Sequence, residues 1–258
     1  MKSITLYTEK NTLVHQADPL CKVLYVFVAL LAPALIGGKS ASVGMIFISF
    51  VILGIGRVLR KTMPLLGFSM LILATVVIIQ GLFRQGNITP LFSLGGLIFY
   101  KEGLSYALGV VLNVVNIILS FAILILTTKP SDMVEAFVRI GLSPKLGYVM
   151  GSVFQIVPQM SESMETITDA QRSRGMETEG KLMTRMKAFF PLISPVVMNS
   201  LITTKERAIA LEVRGFCSTD KKTFLSEDKK RPADQAVKII LLAVLAAALI
   251  WRVVSWLA

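Results

Sequence analysis

Long apolar runs are the feature that most constrains what this 258-residue chain can fold into. A helix needs roughly 20 apolar residues to cross about 30 Å of hydrocarbon, and several runs reach or approach that length. Hydrophobic residues make up 54% of the sequence, more than a soluble domain of this size needs for its core. The sequence therefore predicts an all-α fold, that of a polytopic integral membrane protein.

Five apolar segments are predicted to span the membrane. They are Val23–Ile36, Val43–Ile55, Leu65–Phe83, Gly103–Leu126 and Ala236–Leu257, with a loop between the third and the fourth. Asn113 and Asn116 lie inside the fourth segment, where amides tend to hydrogen-bond to neighbouring helices. The predicted organisation is an N-terminal transmembrane region of about four helices (1–128), a cytoplasmic helical region (129–235) and a C-terminal transmembrane helix (236–258).

The region 129–235 carries most of the charge and begins with a short amphipathic helix. Ser131 is predicted as its N-cap, because a hydroxyl there accepts a hydrogen bond from a free backbone N–H. Asp132 and Glu135 then lie in the first turn, which suits the helix dipole. Gly141 is predicted to end the helix.

Longer helical segments follow in the same region. One runs from Pro144 to Gly175 and is predicted to be interrupted at Pro158. Lys181–Phe190 is basic and amphipathic, and Pro191–Gly215 indicates a further helix or a pair of helices. Phe224–Ala233 is predicted to be a charged linker to the last span.

The positive charges indicate the orientation of the chain in the membrane. Lys and Arg total 27 against 16 Asp and Glu, and most of them lie between apolar segments. Cytoplasmic loops carry such an excess, so the N-terminus and residues 129–235 are predicted to be cytoplasmic. The same balance in a soluble protein would indicate nucleic acid binding, but here the lipid bilayer is the expected surrounding and no nucleic acid partner is predicted.

Few residues of the chain are suited to metal binding or catalysis. His15 is the single histidine, and Cys21 and Cys217 are far apart without ligand-like neighbours, so no metal site is predicted. Gly38-Lys39-Ser40 resembles the end of a phosphate-binding loop, but Pro33 occupies the position of the leading glycine. Acidic residues are almost absent from the predicted spans, which argues against an ion pathway through this chain alone. Energy for transport would have to come from elsewhere.

Two matching Arg-Gly motifs lie 40 residues apart in the charged region. The first is Ala170-Gln171-Arg172-Ser173-Arg174-Gly175-Met176, and the second is Ala210-Leu211-Glu212-Val213-Arg214-Gly215-Phe216, so both have the pattern Ala-x-x-x-Arg-Gly-apolar. Each motif taken singly is explained as the end of a helix, with Gly at the C′ position and Arg near the negative end of the dipole.

The pair of motifs also permits a docking role. An Arg at a helix end presents a permanently charged fork that pairs well with carboxylates. Two such ends would fit two equivalent acidic grooves on a two-fold symmetric partner. The dimeric ATPase of an ABC-type transporter is a partner of that kind.

These motifs, together with one near the N-terminus, resemble those of a known family, and the resemblance covers most of the chain. His15-Gln16-Ala17-Asp18-Pro19-Leu20-Cys21-Lys22 looks like a His-x-x-Asp-Pro-Arg-x-Lys motif, with Leu20 at the usual Arg position. The Arg-Gly motifs, with Ile156-Val157-Pro158 before the first and Pro191-Leu192-Ile193 before the second, are the specific part. The chain resembles the transmembrane (T) component of energy-coupling factor transporters, the cobalt-transport permease type.

The resemblance implies a non-enzymatic coupling subunit with cytoplasmic coupling helices. Such a subunit bridges two cytoplasmic ATP-binding subunits to a small membrane substrate-binding subunit, for uptake of a vitamin or a transition-metal ion. It implies no cofactor in this chain, because the partners bind the ATP. By position, Arg174 and Arg214 would enter the ATPase grooves. The resemblance implies that these residues flank them: Gln171, Arg172, Ser173, Gly175, Glu212, Val213, Gly215 and Phe216.

Two other functions stay open from the residues alone. A stand-alone carrier would need polar residues or broken-helix repeats along its spans. A membrane-embedded lipid-modifying enzyme would need clustered carboxylates, His or Cys, and Asp132 and Glu135 come nearest to such a cluster.

Overall fold

The computed structural model describes residues 10, 12–86, 88–94, 97–175, 182–218 and 232–257. The elements in chain order are α1 (Pro19–Ile36), α2 (Lys39–Ile55), α3 (Leu59–Phe83), β1 (Pro90–Leu94), β2 (Leu97–Tyr100), α4 (Lys101–Thr127), α5 (Pro130–Arg139), α6 (Pro144–Ser173), α7 (Leu182–Val213) and α8 (Pro232–Leu257). Among the described residues, strands occur only in one short hairpin. The all-α membrane fold predicted from the sequence is thus confirmed.

In the described parts of the chain, four helices are long and apolar enough to cross a membrane, namely α1, α3, α4 and α8. The predicted second span, α2, has 17 residues and is about 26 Å long. That is slightly shorter than the hydrocarbon, so α2 would need local thinning of the bilayer or help from flanking residues to cross it, and this span stays a prediction. The first three helices begin four to six residues earlier than the apolar runs indicate, since polar residues at their starts still adopt helical backbone.

A β-hairpin replaces the loop predicted between the third and fourth spans. The strands β1 and β2 pair antiparallel, with Leu94 opposite Leu97. Phe99 packs against α3 at Gly81, where a Cβ would lie 3.0 Å from the ring. Glu102, in the first turn of α4, accepts hydrogen bonds from the backbone N–H groups of Ile88 and Thr89. The hairpin is therefore attached to both helices that it connects.

The described chain divides into two compact units, with the boundary inside α5. One unit contains α1 to α4, the hairpin and α8. In it, α4 contacts α1, α2 and α3, and α8 packs along α1. Leu53, Leu119 and Ile123 are almost fully buried in its main core, and a smaller core joins Val28 to Ala248.

Polar side chains connect the helices inside this bundle. Asn116 donates from Nδ2 to the backbone oxygen of Ala29 at 2.5 Å, which joins α4 to α1. Asn113 accepts a hydrogen bond from Ser42 at 2.9 Å, which joins α4 to α2. The prediction that these two amides bond across helices is confirmed.

A charged cluster joins three helix ends on one side of the bundle. Asp18 caps α1 by accepting from the N–H of Leu20, and its other oxygen lies 2.5 Å from Nζ of Lys238 in α8. Lys22 is only 5% exposed and donates to the backbone oxygen of Thr127, the last residue of α4, at 2.9 Å. The start of α1, the end of α4 and the start of α8 therefore lie on the same side of the membrane.

The short helix α5 begins two residues earlier than predicted. It starts at Pro130, which suits the first helical position, so Ser131 lies inside the first turn and is not the N-cap. Gly141 follows the helix with φ +121°, and Leu142 donates its N–H back to the oxygen of Phe137. This arrangement closes the helix, as predicted for Gly141.

The second unit contains α6 and α7, and both helices continue through their prolines. The prediction of an interruption at Pro158 is wrong, because α6 runs unbroken across it. Lys181–Phe190 and Pro191–Gly215 are not separate helices, since α7 continues through Pro191 and Pro195. An interior proline removes one backbone hydrogen bond, which a helix of 30 residues or more can tolerate. Most of the predicted linker, residues 224–231, lies outside the described residues.

Each of these two helices ends at a glycine with a left-handed backbone. Gly175 has φ +88° and Gly215 has φ +70°. At the second end, the N–H of Gly215 bonds to the oxygen of Glu212, and that of Phe216 bonds to the oxygen of Leu211. These bonds satisfy carbonyls that would otherwise lack partners at a helix terminus.

Replacing Lys22 by Met should lower the unfolding free energy by about 1–3 kcal/mol, because the oxygen of Thr127 loses its buried donor. Thermal unfolding in detergent measures the change. Lys61→Met is the control, since Lys61 is exposed and should change the midpoint little. An equal drop in the thermal midpoint of both variants would contradict a special role for Lys22.

Replacing Gly215 by Ala should cost about 1–2 kcal/mol, because an L-residue is strained at this φ. Hydrogen exchange at the end of α7 should become faster. Gly151 offers a matched control, since it lies inside α6 with open space where a Cβ would stand. Gly151→Ala should be neutral or stabilising. Faster hydrogen exchange in Gly151→Ala but not in Gly215→Ala would contradict the account.

Candidate docking site on the paired helices

Two side-chain contacts show that α6 and α7 run antiparallel. Nη2 of Arg207 donates to Oε1 of Gln159 at 2.7 Å. The rings of Tyr148 and Phe216 lie 5.2 Å apart and are tilted by 54°. The earlier residue on α6 therefore pairs with the later residue on α7, as antiparallel helices require.

The antiparallel arrangement places the two Arg-Gly ends on opposite sides of the crossing. Arg174 follows α6 about four turns beyond Gln159, and Arg214 follows α7 about two turns beyond Arg207. Measured along the helices, the two ends lie about 30 Å apart. The structure thus presents two separate Arg ends of one kind, and does not bring them together into a single site.

Both of these arginines are exposed and available. Neither Arg174 nor Arg214 makes a side-chain hydrogen bond or ion pair with another residue in the described parts of the chain. By contrast, Arg172 lies 3.8 Å from the carboxylate of Asp169 within the same helix. Ser173 donates its hydroxyl to the backbone oxygen of Asp169. Arg174 and Arg214 are therefore better placed than Arg172 to bind a partner's carboxylates.

The other residues predicted to flank the arginines lie at the same two helix ends. Val213 is 84% exposed, and Glu212 is also exposed. Gln171 is half-buried. Phe216 is half-buried as well, because its ring turns back onto Tyr148. Phe216 therefore holds the second end against α6 instead of projecting from it.

Sequence reasoning missed three residues that position this site: Tyr148, Gln159 and Arg207. The only signal was the helical spacing of Arg207, which lies seven residues before Arg214 and hence on the same face of α7. Nothing in the sequence identified its partner on α6. In the described parts of the chain, no group of three or more His, Cys, Asp and Glu could hold a metal ion.

A second surface feature of this unit is an apolar stripe on α6. Its members share one helix face by their spacing of three and four residues, and all are at least 38% exposed. They are Leu146, Val149, Met150, Val153, Phe154, Val157 and Met160. A stripe of this length that remains exposed indicates contact with another apolar surface.

Comparison with known proteins places the chain in a family. The profile of the family described as "Cobalt transport protein" (CbiQ) matches residues 10–224. Among its relatives are proteins named "Energy-coupling factor transporter transmembrane protein EcfT". The one from Staphylococcus aureus is 26% identical over 84% of each chain. That from Listeria innocua is 29% identical over 95% of this chain and 96% of its own. That from Leuconostoc gelidum is 37% identical over 57% of each chain.

The profile spans residues 15–22 and both Arg-Gly ends, so the match is not confined to the apolar spans. The chain is thus a membrane protein whose relatives are bacterial transporter subunits. It belongs to the CbiQ cobalt transport protein family, the transmembrane (T) components of energy-coupling factor transporters.

Proposed function

We propose that this chain couples a pair of cytoplasmic ATP-binding subunits to a small membrane substrate-binding subunit, in uptake of a vitamin or a transition-metal ion. The observation that carries the proposal is the pair of exposed arginines, Arg174 and Arg214, at two left-handed helix ends of one antiparallel pair, whose side chains have no partner among the described residues. Two like ends on one chain fit a partner that has two like grooves. In this proposal the chain holds no cofactor, and ATP is bound and hydrolysed by the partners.

The chemistry of the ends supports carboxylate-lined grooves as the docking surface. A guanidinium forms bidentate, charge-assisted hydrogen bonds with a carboxylate, and these strengthen when water is excluded. The glycine after each arginine turns the chain sharply, so the side chain stands at the tip of its helix. Each helix can then transmit a displacement of its tip along its length.

The orientation is part of the same proposal. The charged cluster places the start of α1 on the side where α4 ends and α8 begins. Residues 129–235, with their many Lys and Arg, connect α4 to α8 and therefore begin and end on that side. The positive-inside rule makes that side cytoplasmic. This is where the ATP-binding subunits would be.

The apolar stripe on α6 is proposed to contact the membrane substrate-binding subunit. Exposed valines and a phenylalanine match the apolar exterior of such a subunit, whereas they do not suit the charged grooves of an ATPase. The two proposed partners thus use chemically different parts of the same helix pair. Neither a stand-alone carrier nor a membrane enzyme draws support from a specific observation in the described residues.

Changing Arg174 and Arg214 together to Glu should abolish co-purification of the ATP-binding subunits, because repulsion replaces two charge-assisted contacts. Each single change should weaken binding by at least about tenfold. Membrane insertion should remain normal. Lys205→Glu is the control, since Lys205 is exposed on α7 away from its end. A normal complex and normal uptake in the double variant would rule out the proposal.

Changing Val153 and Val157 together to Asp should release the small membrane subunit, because two carboxylates would enter an apolar contact. The ATP-binding subunits should still co-purify, since both Arg ends are intact. Quantitative pull-down of both partners from the same membranes measures this. Loss of both partners, or of neither, would contradict the assignment of the stripe.

A further inference from the structure

The crossing of α6 and α7 is lined by polar side chains in a region where apolar packing would be the ordinary choice. Its groove is lined by Gln159 and Ser163 from α6 and by Asn199, Ser200, Thr203 and Arg207 from α7, with only a few apolar side chains. Most of the apolar stripe of α6 lies on a neighbouring face, and only its last residue, Met160, lines the groove. The groove also contains Ile156, Met160 and the buried Val196, so the polar side chains act beside apolar packing and do not replace it.

One direct contact spans this groove. The guanidinium of Arg207 reaches from α7 to the side-chain oxygen of Gln159 on α6, with a separation of 2.7 Å. Arg207 is half-buried and Gln159 is exposed, so the contact lies at the solvent-exposed rim of the crossing.

A single polar pair at a helix crossing selects one register among several. If α7 slid along α6 by one turn, about 5.4 Å, the guanidinium and the amide oxygen would both lose their partner. Single polar residues in coiled coils fix register in this way, at some cost in stability. The ring contact of Phe216 with Tyr148, at one end of the pair, is compatible with the same register.

We propose that the Gln159–Arg207 contact fixes the register of α6 against α7 and thereby sets the separation of Arg174 and Arg214. This proposal rests on the docking function above, because that separation matters only if both arginines bind one partner. Gln159 and Arg207 are positioning residues in this account, and they do not touch the ATP-binding subunits. A slip of one helical turn would displace one arginine from its groove while the other stayed engaged.

The separation can be measured directly on the full chain in lipid nanodiscs without any partner. Spin labels at Ala170 and Ala210, the matching first residues of the two motifs, report the distance by pulsed electron paramagnetic resonance. Cys21 and Cys217 are replaced by Ala and Ser in this background. Unmodified at Gln159 and Arg207, the chain should give one narrow distance distribution.

Arg207→Met and Gln159→Met should each broaden that distribution at least about twofold or shift it by about one helical turn, 5.4 Å. The exchanged pair, Gln159→Arg with Arg207→Gln, should restore the narrow distribution. Lys205→Met is the control, because it removes an exposed charge two residues away. An unchanged distribution in both single variants, or equal broadening in the control, would overturn the proposal.

A second measurement separates positioning from folding. The affinity of the paired ATP-binding subunits for Arg207→Met should fall at least about tenfold, since two linked contacts bind much more tightly than one. The thermal midpoint should stay close to that of the unmodified chain, and unchanged affinity would overturn the proposal. The distances are measured without the ATP-binding subunits. If the distances do not depend on Gln159 and Arg207, the register proposal fails and the docking proposal is unaffected. If instead Arg174 and Arg214 do not bind the ATP-binding subunits, the distances between the spin labels are unaffected.

Discussion

Hydrocarbon leaves no partner for an unpaired backbone group, and this constraint determines most of the fold. Every segment that crosses the bilayer must be a helix, because only a helix satisfies its own N–H and C=O groups there. The bundle is centred on α4, which contacts three other helices. Where polar groups do occur in the bundle, they join helices, as Asn116 does to Ala29. The β-hairpin lies between the ends of α3 and α4, where its open edges are not forced into lipid.

The α6–α7 unit differs from the bundle, because few of its described residues are buried. Its helices are long, its prolines are accommodated, and its apolar side chains remain largely exposed. Stability from core packing is therefore modest, and individual contacts become important for geometry. In the account proposed above, the Arg207–Gln159 contact sets the separation of Arg174 and Arg214. The left-handed glycines place each arginine at the tip of its helix.

Much of this architecture can be predicted from local patterns in the sequence. Apolar runs located the four helices that are long enough to span the membrane, and the Arg-Gly repeat located both helix ends, because both signals are local. Boundaries were less accurate: α1 extends back to Pro19, and Ser131 lies one residue inside α5. Pro158 predicted a break that α6 does not have, since one lost hydrogen bond is small beside the rest of a 30-residue helix. The contact of Gln159 with Arg207 joins residues 48 apart in sequence, and no local pattern encodes such a pair.

The central claim is that the two Arg-Gly ends bind two subunits of one ATPase pair at the same time. Photo-crosslinking residues placed at both 173 and 213 in a single chain test it most directly, because each lies beside one arginine. After illumination of the assembled complex, mass spectrometry should detect one membrane chain joined to two ATP-binding subunits. Crosslinks from only one of the two positions, or from both positions to the same subunit, would contradict the account.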